Sequence, residues 1–286
     1  TLPDGTRLAA RIWMPIDADK KPVPVILEYL PYRKRDGTHV RDALTHPYIA
    51  GHGYACVRVD MRGNGDSDGI MLDEYAEQEL ADAQDVIAWL VRQPWSTGSV
   101  GMMGISWGGV ITSTIIGLDE RFAFGIPTYG CGHLFDAENG WGKALHDNEG
   151  YKQIWDGMNY ADRVKMPVLW LSWPQDAHFP LGCQAEHYRK TPGPRMVSLI
   201  TKMGHSHQAG WNPPDSYAFA KSIVETGKPW GRSTSAVTEQ GHAVATFAST
   251  KPLDRAVLVS TTDKGFTGKR QWVETPAAGA SAPVAA

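Results

Sequence analysis

Segments typical of buried strands alternate with segments typical of helices along most of the chain, and this alternation constrains the fold most strongly. Residues 22–30 ("PVPVILEYL") and 54–60 ("YACVRVD") are continuous apolar runs rich in β-branched side chains, as in strands buried on both faces. Between residues 74 and 92, Leu80, Ala83, Ile87 and Leu90 recur three or four positions apart, which predicts a helix with one buried face. Strands that alternate with helices predict a mainly parallel sheet covered on both faces.

The same pattern continues to about residue 230 and then changes. Further buried strands are predicted at 166–173 and 195–201, and further helices in "GCQAEHYRK" and "DSYAFAKSIVETG". Beyond residue 230, "HAVATFAS", "RAVLVSTT" and "KRQWVET" resemble strands without intervening helices. We therefore predict an α/β domain over residues 1–230, a small β appendage over 231–275 and a disordered tail over 276–286.

Composition excludes several classes of protein. The chain has 286 residues, a net charge of -3 and a pI near 6.3, whereas a nucleic-acid-binding protein usually carries a basic patch. No apolar run reaches the roughly 18 residues that a membrane span needs. The three cysteines, Cys56, Cys131 and Cys183, are far apart, which favours buried free thiols over a disulfide framework or a zinc site. The first residues do not have the charged and then apolar pattern of a leader, so we expect a cytoplasmic protein; because the sequence begins without Met, secretion with removal of a leader stays open.

A possible nucleophile lies in "GMMGISWGGV", where Ser106 stands between Gly104 and Gly108. The pattern Gly-x-Ser-x-Gly is short and common by itself, and a structural serine in a glycine-rich turn would also fit it. Here a predicted strand precedes Ser106 and a predicted helix, "SWGGVITSTIIG", follows it. This strand–turn–helix context is the one in which the motif marks a nucleophile.

A serine nucleophile needs a base and an acid, and both follow predicted strands. Asp176 comes just after the strand at 166–173, and His205 just after the strand at 195–201. The order Ser106, Asp176, His205 is that of α/β-hydrolase triads. Asp162 is an alternative acid and His207 an alternative base. "HSH" lacks the spacing of common zinc motifs, so no metal is expected.

Two donors are expected to stabilise the oxyanion of an acyl transfer. One is the backbone N–H of Trp107, which follows the nucleophile. The other is the hydroxyl of Tyr32, in the loop "LPYRKRDG", although this ring could equally serve only for packing. A set of residues near the predicted site could shape a substrate pocket, or belong to the core: Tyr129, Trp173, His178, Phe179 and Trp211.

The segments "PYRKRDG", "GYACVRVDMRGNGDSDG", "DVIAWLVRQPW" and "GMMGISWGG" resemble the cocaine esterase and X-prolyl dipeptidyl peptidase family of α/β hydrolases. This resemblance covers roughly residues 1–109 and implies that Tyr32 and the Trp107 amide form the oxyanion hole. The second half, with "RVKMPVLWLSWPQDAHFP" and "MGHSHQAGW", resembles acetyl xylan esterases and prolyl-oligopeptidase-like hydrolases, which implies Asp176 and His205 as triad members. Only 70 positions separate Ser106 from Asp176, too few for the large helical cap of cocaine esterase, so a minimal cap is expected.

The sequence thus predicts an α/β-hydrolase fold and a serine esterase that acts through an acyl-enzyme on small-acyl esters. No cofactor is expected, and the predicted partner is a small-molecule ester rather than a nucleic acid or a membrane. An amidase or X-prolyl peptidase is the alternative enzyme, with Glu138 and Glu149 as weak candidates for binding a substrate amine. A non-catalytic binding protein is the alternative from another class.

Overall fold

The computed structural model describes residues 1–73, 76–239, 242–251 and 255–277. Within this part, seven strands form one sheet: β1 (Ala10–Trp13), β2 (Val23–Leu30), β3 (Ala55–Asp60), β4 (Ser96–Ile105), β5 (Phe122–Thr128), β6 (Val168–Ser172) and β7 (Arg195–Leu199). Their order is β1-β3-β2-β4-β5-β6-β7. Only the pair of β1 with β3 is antiparallel, and the other neighbours run parallel.

Helices connect the strands and flank the sheet: α1 (His39–Gly51), α2 (Glu77–Val91), α3 (Trp107–Ile115), α4 (Gly140–Leu145), α5 (Leu181–Lys190), α6 (His207–Trp211) and α7 (Pro214–Thr226). The central strands are almost wholly buried, as the exposures of Leu27, Val57 and Leu171, all 0 %, illustrate. Parallel strands with helical crossovers need such two-sided burial. The predicted mainly parallel sheet with flanking helices is confirmed.

The observed elements differ from the prediction in three respects. The short antiparallel strand β1, the helix α1 and the strand β5 were not predicted from the sequence. The segment 195–201 was predicted as a buried strand, but β7 is the edge of the sheet, where Val197 is 42 % exposed. At the edge of the sheet the two faces are less completely covered than at its centre, and no residue of β7 is fully buried. The helix predicted from residue 74 begins at Glu77, and residues 74 and 75 lie outside the described part.

Short helices fill the connection between β5 and β6, where a larger cap would be inserted. They comprise α4 and the brief turns at Leu134–Asp136, Tyr151–Trp155, Gly157–Asn159 and Ala161–Arg163. None of the helices in the described part is long and apolar enough to cross a membrane.

The strands after residue 230 form two hairpin-like sheets. β8 (Gly231–Glu239) pairs with β9 (His242–Ser249), and β10 (Val257–Ser260) pairs with β11 (Val273–Pro276), both antiparallel. The division of the chain near residue 230 stays a prediction. Of the tail predicted over 276–286, residues 278–286 lie outside the described part.

Candidate active site

Ser106 occupies a tight turn between β4 and α3. Its φ is 58° and its ψ is -113°, a left-handed backbone conformation that is strained for a residue with a side chain. The turn is held because the Ser106 N–H donates to Thr128 O at 3.0 Å and the Ser106 carbonyl accepts from Val110 N–H at 3.1 Å. This geometry presents the side chain at the carboxyl end of the sheet, as in a nucleophile elbow.

The glycines around Ser106 are required by close backbone contacts. A Cβ on Gly104 would lie 2.0 Å from the Gly108 oxygen, and a Cβ on Gly108 would lie 2.1 Å from Leu30 Cδ2. Helix α3 therefore approaches its preceding strand more closely than any side chain would allow. The Gly-x-Ser-x-Gly pattern has a steric reason here.

His205 and Asp176 form a short charge-assisted pair. The Nδ1 of His205 lies 2.7 Å from Asp176 Oδ2, with the Asp176 side chain fully buried. The other carboxylate oxygen accepts the backbone N–H groups of His178 at 2.8 Å and Phe179 at 3.0 Å. When the Asp176 carboxylate is ionised it only accepts hydrogen bonds, and Nδ1 of a neutral His205 then carries the proton while Nε2 keeps its lone pair.

Aromatic rings fix the plane of the His205 imidazole. The ring of Tyr129 stacks on it at 4.4 Å between centroids, and Phe179 lies parallel at 5.9 Å. The backbone of Tyr129 is in the left-handed region, with a φ of 64°. Its hydroxyl donates a hydrogen bond to Gly204 O at 2.7 Å, which holds the loop that carries His205 in place. Burial raises the pKa of the Tyr129 hydroxyl above its ordinary value, which keeps it a neutral donor.

The two predicted oxyanion donors lie side by side. The backbone N–H of Trp107 donates to the hydroxyl oxygen of Tyr32 at 3.4 Å. Because both groups are donors on the same side, an oxygen that enters between them could accept from the Trp107 N–H and from the rotatable Tyr32 hydroxyl. The indole N–H of Trp107 points elsewhere, to Glu79 Oε2 at 3.3 Å.

His207, the alternative base, meets a different partner from His205. Its ring packs on Tyr32, with centroids 4.6 Å apart and the planes tilted by 42°. Burial, together with the charge of Arg41, lowers the pKa of His207 below its ordinary value. The pair with Asp176 is formed by His205.

A cavity of about 150 Å³ joins these parts. Its lining comprises Tyr32, Ser106, Trp107, Trp141, His178, Phe179 and His205. Of the predicted pocket residues, His178 and Phe179 line it, and Tyr129 lies behind His205. Trp173 and Trp211 are not among its lining residues, and Trp211, only 1 % exposed, packs under the guanidinium of Arg41 at 5.2 Å.

Trp141 was missed by the sequence reasoning. It lies on the short helix α4, far from any strand end, so the rule that located Asp176 and His205 does not reach it. The side chain of Asn139 connects this helix to the loop that carries Asp176, since its Nδ2 donates to Ala177 O at 2.8 Å and to His178 O at 3.0 Å.

One group of side chains in the described part resembles a metal site but has other partners. Ligand atoms of Glu28, Asp42 and His46 lie within 4.8 Å of one another, all buried. Arg41 binds Glu28 through two hydrogen bonds of 2.7 Å, and Arg58 approaches the same carboxylate at 3.5 Å. Burial alone would raise the pKa of Glu28, but the charges of Arg41, His46 and Arg58 lower it overall. These guanidinium groups balance the carboxylates, so the cluster is a buried ion-pair network.

Comparisons with known proteins show what the first part of the chain resembles in sequence. Residues 4–121 match the X-Pro dipeptidyl-peptidase (S15) family. Cocaine esterase from Rhodococcus sp. (strain MB1 Bresler) is 40% identical over 111 residues, which are 37% of this chain and 18% of that protein. The chain thus spans less than a fifth of the length of this relative.

Solved structures share the fold over more than three quarters of this chain. The acetyl xylan esterase from Paenibacillus sp. R4 superposes with a TM-score of 0.60 at 19% identity, covering 78% of this chain and 80% of the other. The acylaminoacyl peptidase from Pyrococcus horikoshii gives a TM-score of 0.61 at 19% identity, covering 77% and 41%. The resemblance predicted for the first part is confirmed, and the fold predicted for the chain is confirmed as well. The chain therefore has the α/β-hydrolase fold, and its first part resembles the X-Pro dipeptidyl-peptidase (S15) family.

Proposed function

We propose that this chain is a serine hydrolase that cleaves carboxylic esters with a small acyl group through an acyl-enzyme. The observation that carries the proposal is the convergence of three features on one cavity. These are the strained Ser106 elbow, the His205–Asp176 pair at 2.7 Å and the neighbouring donors of Tyr32 and Trp107. A binding protein would need none of these groups to be arranged as nucleophile, base and oxyanion donors.

The proposed reaction has two acyl-transfer steps. Ser106 Oγ bonds to the ester carbonyl carbon while His205 Nε2 takes the hydroxyl proton. The oxyanion accepts hydrogen bonds from Trp107 N–H and Tyr32 Oη–H. As the tetrahedral centre collapses, the C–O bond to the alcohol breaks and His205 returns the proton to the leaving oxygen. Water then repeats the sequence on the acyl-enzyme, with His205 again as base, and releases the acid and free Ser106.

The shape and charge of the cavity favour small-acyl esters. A space of about 150 Å³ walled by Trp107, Trp141 and Phe179 suits a short acyl chain better than a long one. Its described lining contains no carboxylate that could bind the free amine of a peptide. Glu138 and Glu149, the weak candidates for that role, are exposed, and Glu149 is paired with Lys152 at 2.9 Å. These features favour esters over X-prolyl peptides.

The test combines a fluorophosphonate probe with a substrate panel. The probe should label the wild type and fail to label Ser106→Ala, whose turnover should fall by about a millionfold. Ser113→Ala, a buried serine on the same helix α3, is the matched control and should keep both labelling and rate. p-Nitrophenyl esters from acetyl to octanoyl should be cleaved with a preference for the shortest, and proline p-nitroanilides should be poor substrates. Labelling of Ser106→Ala at the wild-type level would refute the nucleophile, and faster anilide cleavage would favour the peptidase.

A further inference from the structure

Two loops must keep a fixed distance for the proposed triad to work. The acid loop, residues 173–179, follows β6, and the base loop, residues 200–206, follows β7. The 2.7 Å contact between His205 and Asp176 joins side chains from these separate loops. A shift of either loop by an ångström would break this hydrogen bond, because such bonds weaken steeply beyond their normal length.

The segment between β10 and β11 contacts the acid loop on both sides of Asp176. The Gln175 side chain donates its Nε2–H to the carbonyl oxygen of Arg270 at 3.1 Å. A Cβ placed on Gly268 would lie 2.9 Å from the Cα of Ala177, so the two backbones are in direct contact. The short helix Thr267–Lys269 also packs beside α5, the helix that follows the acid loop.

The same hairpin contacts the base loop. The hydroxyl of Thr201 donates to the carboxylate of Glu274 on β11, and the guanidinium of Arg255 binds the other oxygen of that carboxylate. Thr201 is followed by Lys202, whose φ is 64°, and the chain reaches His205 three residues later. Strand β11 therefore fixes the start of the base loop.

The hairpin has internal contacts that give it a defined form. β10 and β11 pair from Val257 opposite Pro276 to Ser260 opposite Val273. Between them, Gln271 N–H donates to Asp263 Oδ2 at 2.7 Å, and Arg270 Nε–H donates to the Gly265 oxygen at 2.7 Å. Because these hydrogen bonds give the β10–β11 hairpin a defined form, it can hold the acid loop and the base loop at a fixed distance from each other.

We propose that the β10–β11 hairpin fixes the acid and base loops relative to each other, with Gln175, Gly268 and Glu274 as positioning residues for the Asp176–His205 pair. This inference rests on the proposed function, since it gives the C-terminal hairpin a role in the same site. None of the three residues contacts the reacting atoms. Their effect on turnover would pass through the geometry of the pair.

The test adds a single methyl group in two places. Gly268→Ala puts a Cβ against the Ala177 backbone, whereas Gly182→Ala on α5 adds a Cβ that meets no atom within 4 Å. Neither glycine has a left-handed φ, so the two substitutions differ in the atoms that the new Cβ meets and not in backbone strain. We expect Gly268→Ala to lower kcat on p-nitrophenyl acetate by about ten- to a hundredfold with KM within twofold, as for a small misplacement of a catalytic group. Gly182→Ala should match the wild type.

A second variant, Gln175→Glu, and a second background, Asp176→Asn, distinguish an effect on the geometry of the Asp176–His205 pair from an effect on the stability of the protein. Gln175→Glu keeps the side-chain shape but sets a carboxylate against the Arg270 carbonyl, and we expect it to lower kcat in the same way. In an Asp176→Asn background both substitutions should cost almost nothing more, because the pair they would disturb is already lost. An equal further loss in that background, or wild-type kcat in both single variants, would overturn the proposal.

A spectroscopic readout is independent of turnover. The Nδ1 proton of His205, shared with Asp176, should give a far-downfield proton NMR signal in the wild type and in Gly182→Ala. We expect the signal to weaken or shift in Gly268→Ala, and an unchanged signal would count against the proposal. Failure of the proposed function would instead appear as absent fluorophosphonate labelling of the wild type, whatever the hairpin variants do.

Discussion

His205 and His207 lie two residues apart and contact different groups. His205 is bound to Asp176 at 2.7 Å, whereas His207 packs on the ring of Tyr32. We predict that His205→Ala loses about as much turnover as Ser106→Ala, since members of a triad act as a unit. His207→Ala should cost less than about tenfold, because it removes only a packing contact. Steady-state rates on p-nitrophenyl acetate measure both, and the opposite ranking would make His207 the base.

A variant of Tyr32 tests whether its hydroxyl group stabilises the oxyanion. Tyr32→Phe removes the hydroxyl beside the Trp107 N–H and keeps the ring that packs on His207. We predict that kcat falls about a hundred- to a thousandfold with little change in KM, because the lost hydrogen bond is strongest in the transition state. The control is Tyr160→Phe, which removes a hydroxyl that donates to Ile154 O outside the cavity, and this variant should keep full activity. A Tyr32→Phe enzyme at wild-type rate would assign Tyr32 to packing alone.

The residues of the candidate site differ in how well sequence could locate them. Ser106, Asp176 and His205 all follow strand ends, and the topology of a parallel sheet brings such positions to one edge. Trp141 and Trp211 show the limit of this reasoning. An aromatic side chain in a loop or short helix carries no periodic signal, so whether it lines a cavity or fills the core depends on contacts far away in the chain.

At the scale of elements, the strand–turn–helix unit of β4 and α3 depends on backbone contact. Gly104→Ala would place a Cβ 2.0 Å from the Gly108 oxygen and 2.7 Å from Thr112 Oγ1. We predict a loss of about 1–3 kcal/mol in the free energy of unfolding, typical of overpacking, and a loss of fluorophosphonate labelling as Ser106 moves. Gly51→Ala at the end of α1 meets no atom within 4 Å and is the control. Urea denaturation compares the two, and equal stabilities would contradict the steric argument.

The elements that sequence missed break the usual patterns for physical reasons. Strand β5 contains Gly125 and Pro127, which normally argue against a central strand, yet it lies buried between β4 and β6. Helix α1 contains Pro47, and its buried face includes Arg41 and Asp42 of the ion-pair network. Apolar periodicity cannot reveal a face whose burial is stabilised by paired charges. The long apolar strands β2 and β3 and the amphipathic helix α2 were predicted to within three residues.

At the scale of the whole molecule, the sheet arranges partners from distant parts of the sequence. Tyr32 follows β2, Ser106 follows β4, Asp176 follows β6 and His205 follows β7. The alternation of strands and helices predicts this architecture, because each parallel strand needs a helical crossover. The strand order and the lateral contacts of the C-terminal hairpin are not encoded in any local pattern. They depend on which long-range pairings bury the most apolar surface.

A buried histidine remote from the cavity should make the stability of the whole fold depend on pH. His187 is 0 % exposed, its Nδ1 accepts the Gly132 N–H at 2.8 Å, and its Nε2 has no hydrogen-bond partner among the described residues. Burial, with Lys190 and His133 nearby, lowers the pKa of His187 to about 3. The unfolded chain, in which histidine titrates near its ordinary pKa of about 6.5, therefore binds more protons than the folded chain between these values.

We predict that this difference lowers the free energy of unfolding as the pH falls below about 6.5, by about 2 kcal/mol at pH 5. His187→Asn keeps an acceptor for the Gly132 N–H and cannot titrate, so its stability should fall less steeply over the same pH range, whatever its absolute stability. His52→Asn, which replaces an exposed histidine, should retain the slope of the wild type. Urea denaturation at pH 7, 6 and 5 gives the three slopes. Equal slopes for His187→Asn and the wild type would mean that His187 takes up its proton without unfolding the protein.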